Sequence, residues 1–187
     1  MAGGDRRKTI PMELRRKFNE SSAAQMNYLQ VSHRRDAVAY TIAGIKQIHK
    51  LNLELLGRDP LTLAMEGAMQ AWVAETLFQG AYIREYHLWE KDCKAYFSAM
   101  ALRNGGAVKL ERGRFTDRIR DILALFSVVL PTGIFDAIAR MRGRVNMMKH
   151  EAGLELEHFI TEADYTVAIE AIEGFWNHLA TAERLVS

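Results

Sequence analysis

GRDPL, residues 57–61, decides how the chain is organised. Glycine tolerates the left-handed conformation that follows many helix ends, so Gly57 marks the close of one helix. Asp59 can accept a hydrogen bond from a free backbone N–H of the next helix, and Pro60 fits its first position, where no N–H is needed. Upstream, helical spacing runs from Ser21 or Ser22, the candidate caps in ESSAAQMNY, to about Leu56. Downstream it continues to Arg103, a helix of roughly 60 Å that Gly67 and Gly80 can bend. The long second helix also offers a natural surface for pairing with another subunit.

The rest of the chain reads in shorter helices. RNGGAVKLERGR (103–114) is a glycine-rich, basic loop. Thr116 caps a helix to about Val129, and Pro131 opens another whose apolar stripe is Ile134, Ile138, Met141, Val145 and Met148. EAGLELEHF (151–159) interrupts the pattern, and Thr161 with Asp164 three residues on forms a capping arrangement for a final helix to about Arg184. No stretch alternates as a strand, and no repeat is visible. The expected fold is all-α: a bundle of about five helices, two of them long, occupying residues 21–187 behind a polar, basic arm at 1–20.

Composition agrees. Hydrophobic residues make up 49% and charged residues 26%, with three prolines, a balance that suits a folded helical domain. The single cysteine, Cys93, excludes an internal disulfide and suits a reducing cytoplasm. The longest apolar run, ILALFSVVL, is too short for a bilayer, and the basic N-terminus has no apolar segment behind it, so neither a membrane partner nor a secretory signal is expected. The net charge of +2 conceals a segregation: residues 1–150 hold 24 Lys and Arg against 15 Asp and Glu, and residues 151–187 hold one Arg and eight acids. That pattern suits either a basic face for a polyanion or complementarity between neighbouring helices.

Candidate chemistry concentrates in MRGRVNMMKHEAG (141–153). Arg142, Asn146 and His150 follow one another at i, i+4 beside the core stripe, with Lys149 adjacent. Arg144 lies on the opposite flank, about 120° from His150 on a straight helix. A guanidinium fork binds phosphate oxygens, an imidazole moves protons near neutral pH, and an asparagine can orient either. The bland alternative is the wet flank of an amphipathic helix. On the second helix His87, Glu90 and Lys94 share a ridge, where Glu90–Lys94 reads as an ordinary intrahelical pair or as part of a polar face toward that cluster. RRD (34–36) and ERGRFTDRIRD (111–121) are basic patches able to touch a nucleic-acid backbone, or simply solvated faces. HEAGLELEH (150–158) lacks the paired-histidine spacing of a zinc helix, and RNGGAV lacks the Lys-Ser/Thr of a phosphate loop, so no metal or cofactor is expected. Cys93 reads as a packed core thiol.

RVNMMKHEAG resembles the Arg–polar–x–x–x–x–His motif of HEPN domains: Arg144, five intervening residues, then His150 on a late helix of an all-α chain, with a final amphipathic helix behind it. Asn146 falls one place later than the asparagine common in that motif. The resemblance implies an HEPN-like bundle and a metal-independent endoribonuclease, a hydrolase that cleaves RNA through attack by its 2′-hydroxyl. It implies Arg144 and His150 as the catalytic pair in a cleft shared across a homodimer, with Asn146 in support; helical spacing adds Arg142, Lys149 and Glu90 as candidate supporting or RNA-binding residues, and aligns Arg142 rather than Arg144 with His150. It further implies a toxin–antitoxin or antiviral defence setting with a restraining antitoxin-like protein. Other members of that family are non-catalytic modules that bind nucleic acid or a protein, and this reading stands beside the first.

Overall fold

A computed structural model of the chain describes residues 23–55, 59–103, 119, 123, 128–150 and 159–186; at 100–103, 150 and 183–186 it describes the backbone alone. Among the described residues four helices and no strand occur: α1 (Ala23–Leu55), α2 (Pro60–Arg103), α3 (Thr132–His150) and α4 (Glu162–Val186). The helix expected over 116–129 falls mostly outside them. Within it, Ile119 and Leu123 are helical and buried, one turn apart. Ser21, Ser22, Gly57 and the arm at 1–20 also lie outside the described residues. No described helix is long and apolar enough to cross a membrane.

The helix starts follow from their caps. Asp59 Oδ2 accepts the Thr62 backbone N–H at 2.8 Å, and the Asp59 carbonyl accepts that of Leu63 at 3.1 Å. The Thr62 hydroxyl first, then the backbone N–H groups of Thr62 and Leu61, hold the Asp59 carboxyl below the usual range. α2 then runs 44 residues without interruption, through both Gly67 and Gly80. Pro131 opens α3 as expected, its carbonyl accepting the Ile134 N–H at 3.1 Å. At α4, Thr161 and Asp164 form a reciprocal box: Thr161 Oγ1 accepts the Asp164 N–H and Asp164 Oδ2 accepts the Thr161 N–H, each at 3.1 Å.

α4 is the centre of the bundle and packs against each of the other three helices. Its sequence explains why: Tyr165, Ala168, Ile169, Ile172, Phe175, Trp176, Leu179 and Ala180 are all buried, a stripe too wide for one neighbour. Phe175 meets Trp89 of α2 edge-on at 5.4 Å and Trp176 meets Tyr96 at 5.7 Å. Truncating either ring to alanine would cost about 3–5 kcal/mol. α3 packs on α4 through the predicted stripe, with Ile138, Met141 and Val145 buried and Ile134 and Met148 against the core. The approach is close at Gly174, where an added Cβ would stand 3.0 Å from Ile134 Cδ1.

α1 and α2 run antiparallel. Near the body of the molecule both bury apolar residues, but toward Leu55 on α1 and Pro60 on α2 their contacts become polar. His49 Nδ1 lies 3.4 Å from Glu66 Oε1, and Asn52 donates to the same oxygen at 3.0 Å. The Asn52 bond, with a smaller contribution from His49, outweighs desolvation and keeps the Glu66 carboxyl below its ordinary value.

Candidate functional site

The polar residues of α3 gather toward its C-terminal end. Val145 and Met148 anchor that end to the core, which leaves Asn146 and Lys149 exposed and Arg142 and Arg144 partly covered. The His150 side chain lies outside the described residues, as does the 151–158 segment.

Arg144 is not a free cation. Its Nη1 lies 2.6 Å from Asp164 Oδ1, an ion pair between side chains 35% and 31% exposed. Asp164 is the carboxylate that closes the α4 capping box, and it also accepts the Thr161 hydroxyl at 2.8 Å. Partial burial pushes its pKa up, but the bonds from Arg144 and Thr161 outweigh this and hold it below the usual carboxylate range. One carboxylate therefore caps α4 and fixes α3 to it. A guanidinium has five N–H donors, so a pair through Nη1 leaves the group capacity for a further anion. Beneath it lies Tyr82 of α2, whose buried phenol is raised to about 12, against the opposing fields of Arg144 and Arg140. Tyr82 thus stays a neutral phenol at any physiological pH. Glu90 gives its carboxylate to Lys94 at 2.9 Å, the intrahelical pair that the ridge spacing suggests.

A second polar cluster joins α1, α2 and α4, and sequence reasoning missed it. Arg34 Nε reaches both oxygens of Glu85, at 2.7 and 2.9 Å, and Glu85 is 3% exposed. Arg35 Nη1 lies 2.6 Å from Glu173 Oε2. Burial raises the Glu173 carboxyl, and Arg35 offsets this only in part. The Tyr165 phenol, raised by burial to about 12, sits in the fields of all four, and its hydroxyl has no hydrogen-bond partner among the described residues. The signal was present in the spacing. Ala24, Tyr28, Val31, Val38 and Ile42 form the α1 stripe, and the vacant stripe position is Arg35. Glu85 and Glu173 likewise interrupt apolar faces. Both arginines of RRD thus pair with buried acids, Arg34 with its side chain 22% exposed and Arg35 with its side chain 40% exposed.

Beside this cluster, α1 and α4 enclose an open cleft of about 310 Å³ with Val38, Ile42, Phe78 and Tyr165 as its floor and Arg35 and Lys46 at the rim. Lys46 lies 3.7 Å from Glu162. With Arg35–Glu173 and Arg144–Asp164, this makes three ion pairs among the described residues from the acidic C-terminal segment to the basic remainder. The charge segregation is, to that extent, complementarity between neighbouring helices. Cys93 is fully buried, and burial raises its thiol well above the ordinary range, as suits a packed core residue. Among the described residues no three His, Cys, Asp or Glu side chains gather as a metal-ligand set. Compared with protein-family models, curated proteins and solved structures, the chain matches none.

Proposed function

We propose that the chain is an HEPN-like endoribonuclease that needs no metal, with Arg144 and His150 as its working pair. The observation that carries this reading is the placement of Arg144. It stands about one-third exposed toward the polar end of α3, oriented by Asp164, two residues before exposed Asn146, five before exposed Lys149 and six before His150. A guanidinium held in place is better suited to a developing phosphate charge than a freely rotating one. In the proposed reaction the RNA 2′-oxygen bonds to the adjacent phosphorus and the P–O5′ bond breaks. The 2′-hydroxyl proton is lost, the 5′-oxygen gains one, and the products carry a 2′,3′-cyclic phosphate and a 5′-hydroxyl. His150 serves the proton transfers and Arg144 the phosphorane charge. A site shared between two copies, and a partner protein that restrains the nuclease in a toxin–antitoxin or antiviral system, belong to the same proposal.

A second reading has its own support. The Arg144–Asp164 pair gives Arg144 a structural task, joining α3 to the cap of α4, which a non-catalytic module binding nucleic acid or protein would also need. One experiment separates the two. Purified protein is incubated with single-stranded RNA in EDTA, alongside the same oligonucleotide carrying 2′-deoxyribose throughout. The nuclease reading expects cyclic-phosphate products from RNA alone, lost in His150→Ala and reduced at least 100-fold in Arg144→Ala. Arg142→Ala, at the position aligned with His150 by helical spacing, tests the alternative partner. Salt-sensitive binding without product supports the module, and cleavage that survives in His150→Ala ends the assignment of this site.

A further inference from the structure

The outer half of the α1–α2 hairpin carries an apolar face that no described part of the chain covers. On α1 the exposed residues Ile48, Leu51 and Leu55 follow at spacings of three and four; Leu55 is 84% exposed. On α2, Leu61, Met65, Met69 and Trp72 follow at four, four and three, with Leu61 70% and Trp72 63% exposed. These are the spacings of a helix seam that packs against other helices.

Both stripes lie on the same side of the hairpin. Facing contacts between the helices involve Ile45, His49 and Asn52 on α1 and Glu66 and Gln70 on α2. At 100° per residue each stripe sits roughly a third of a turn from its helix's facing contacts, in the same sense when counted from N to C. For antiparallel helices an equal offset places both stripes on one surface. Titratable side chains of the same turns lie off it: His49 and Glu66 meet between the helices, and Lys50 and Glu54 fall about a quarter turn or more away. The surface is thus two parallel ridges of large apolar side chains without a charge among them. Taking about 200 Å² for each large apolar residue, the exposed fractions amount to roughly 900 Å², against the ~800 Å² per partner that a standard stable interface buries.

We propose that this face is a homodimer interface in which two hairpins close into a four-helix bundle. A charge-free surface offers nothing for recognition of an acidic or basic partner. A two-helix face with its own approximate two-fold relation between stripes is complementary to a second copy of itself, the isologous arrangement of most homodimers. The interface lies apart from the polar end of α3 and does not depend on the chemistry proposed there.

Sedimentation equilibrium on the full chain tests this. At tens of micromolar the wild type should sediment at twice its 21.3 kDa mass. Met65→Glu with Trp72→Glu should raise the dimer dissociation constant at least 100-fold, with unchanged far-UV circular dichroism because both positions are exposed. Val167→Glu, at an exposed apolar residue of α4 away from the face, should leave the dimer intact. A wild type that is monomeric at 100 μM, whether a different partner or the chain's own terminal segment covers the face, overturns the proposal. So does a dimer that persists in the double variant.

Discussion

Replacing Asp164 with asparagine separates the two tasks that Arg144 can have. The substitution keeps a side-chain oxygen able to accept the Thr161 N–H, and Thr161 Oγ1 still accepts the backbone N–H of residue 164, so the box survives in outline. What is lost is one negative charge in the first turn of α4, worth about 0.3–1 kcal/mol with the helix dipole, and the ion pair with Arg144. With those side chains about a third exposed, the pair is worth about 0.2–1 kcal/mol. Asp164→Asn should therefore cost about 1 kcal/mol in urea unfolding at pH 7. The wild-type carboxyl titrates below its unfolded value, so its contribution is present above pH about 4 and is lost as pH falls through the lower folded pKa. The asparagine variant should lack that acid-limb loss. For RNA the sign is opposite. Asp164 competes with phosphate for the guanidinium, and removing it releases up to about 1 kcal/mol, or about five-fold tighter binding at low salt. Arg144→Ala should instead weaken binding and lower the salt slope by about one phosphate contact. Fluorescence anisotropy across a salt series measures both. Equal weakening in the two variants, with the wild-type salt slope in each, would show that Arg144 does no more than hold α4.

Two further outcomes test the buried cluster. Glu85→Ala strands the Arg34 guanidinium, whose side chain is only 22% exposed, and should cost about 2–4 kcal/mol, while a double-mutant cycle with Arg34→Ala should return a coupling of at least about 1.5 kcal/mol; additive costs would mean that the Arg34–Glu85 pair is energetically idle. Glu173 behaves in the opposite way: its folded carboxyl titrates above the ordinary value, so its charge is a burden at pH 7 that is relieved as pH falls through that pKa. Glu173→Gln should thus be at least as stable as wild type at pH 7, with the difference narrowing by pH 4.5, and a loss above about 1 kcal/mol at pH 7 would contradict this.

What could be read in the sequence was whatever depends on neighbours along the chain. Asp59 and Thr161 announce their helices because a cap acts on N–H groups within three residues, and the α3 stripe announces its packing because helical period fixes a face. Partners across the bundle are set by tertiary approach, which local spacing does not encode. RRD looked like a surface patch for that reason; only the docking of α2 and α4 on α1 supplies Glu85 and Glu173. Arg144 suffered the same blindness. Its distance from His150 in residues suggested a phosphate ligand, while its partner, Asp164, lies on another helix and is recognisable from sequence only as a cap. The exposed residues at Leu61, Met65, Met69 and Trp72 show the converse. Their spacing is that of a core, and the structure leaves them outside one.

The two proposals meet in the geometry of the bundle. Arg144 pairs with Asp164, and Tyr165 beside it packs on Phe78 at 5.7 Å, so the polar end of α3 stands level with residues 78–82 of α2. The exposed ridge on α2 is centred near residue 67, about 15–20 Å further along the helix. Two hairpins that pair antiparallel would set their α3 ends on opposite sides of the new bundle, on the order of 30–40 Å apart along its axis. Each Arg144 would then have to act with the His150 of its own chain, across the roughly 1.7 turns of helix that separate them. Two hairpins that pair parallel would bring both bodies to one end, where a cleft shared between copies becomes geometrically accessible. Dimerisation through this face therefore does not by itself make a composite nuclease site. Only the parallel arrangement does, and the direction of the hairpins decides whether the Arg144–His150 spacing is bridged within one chain or between two.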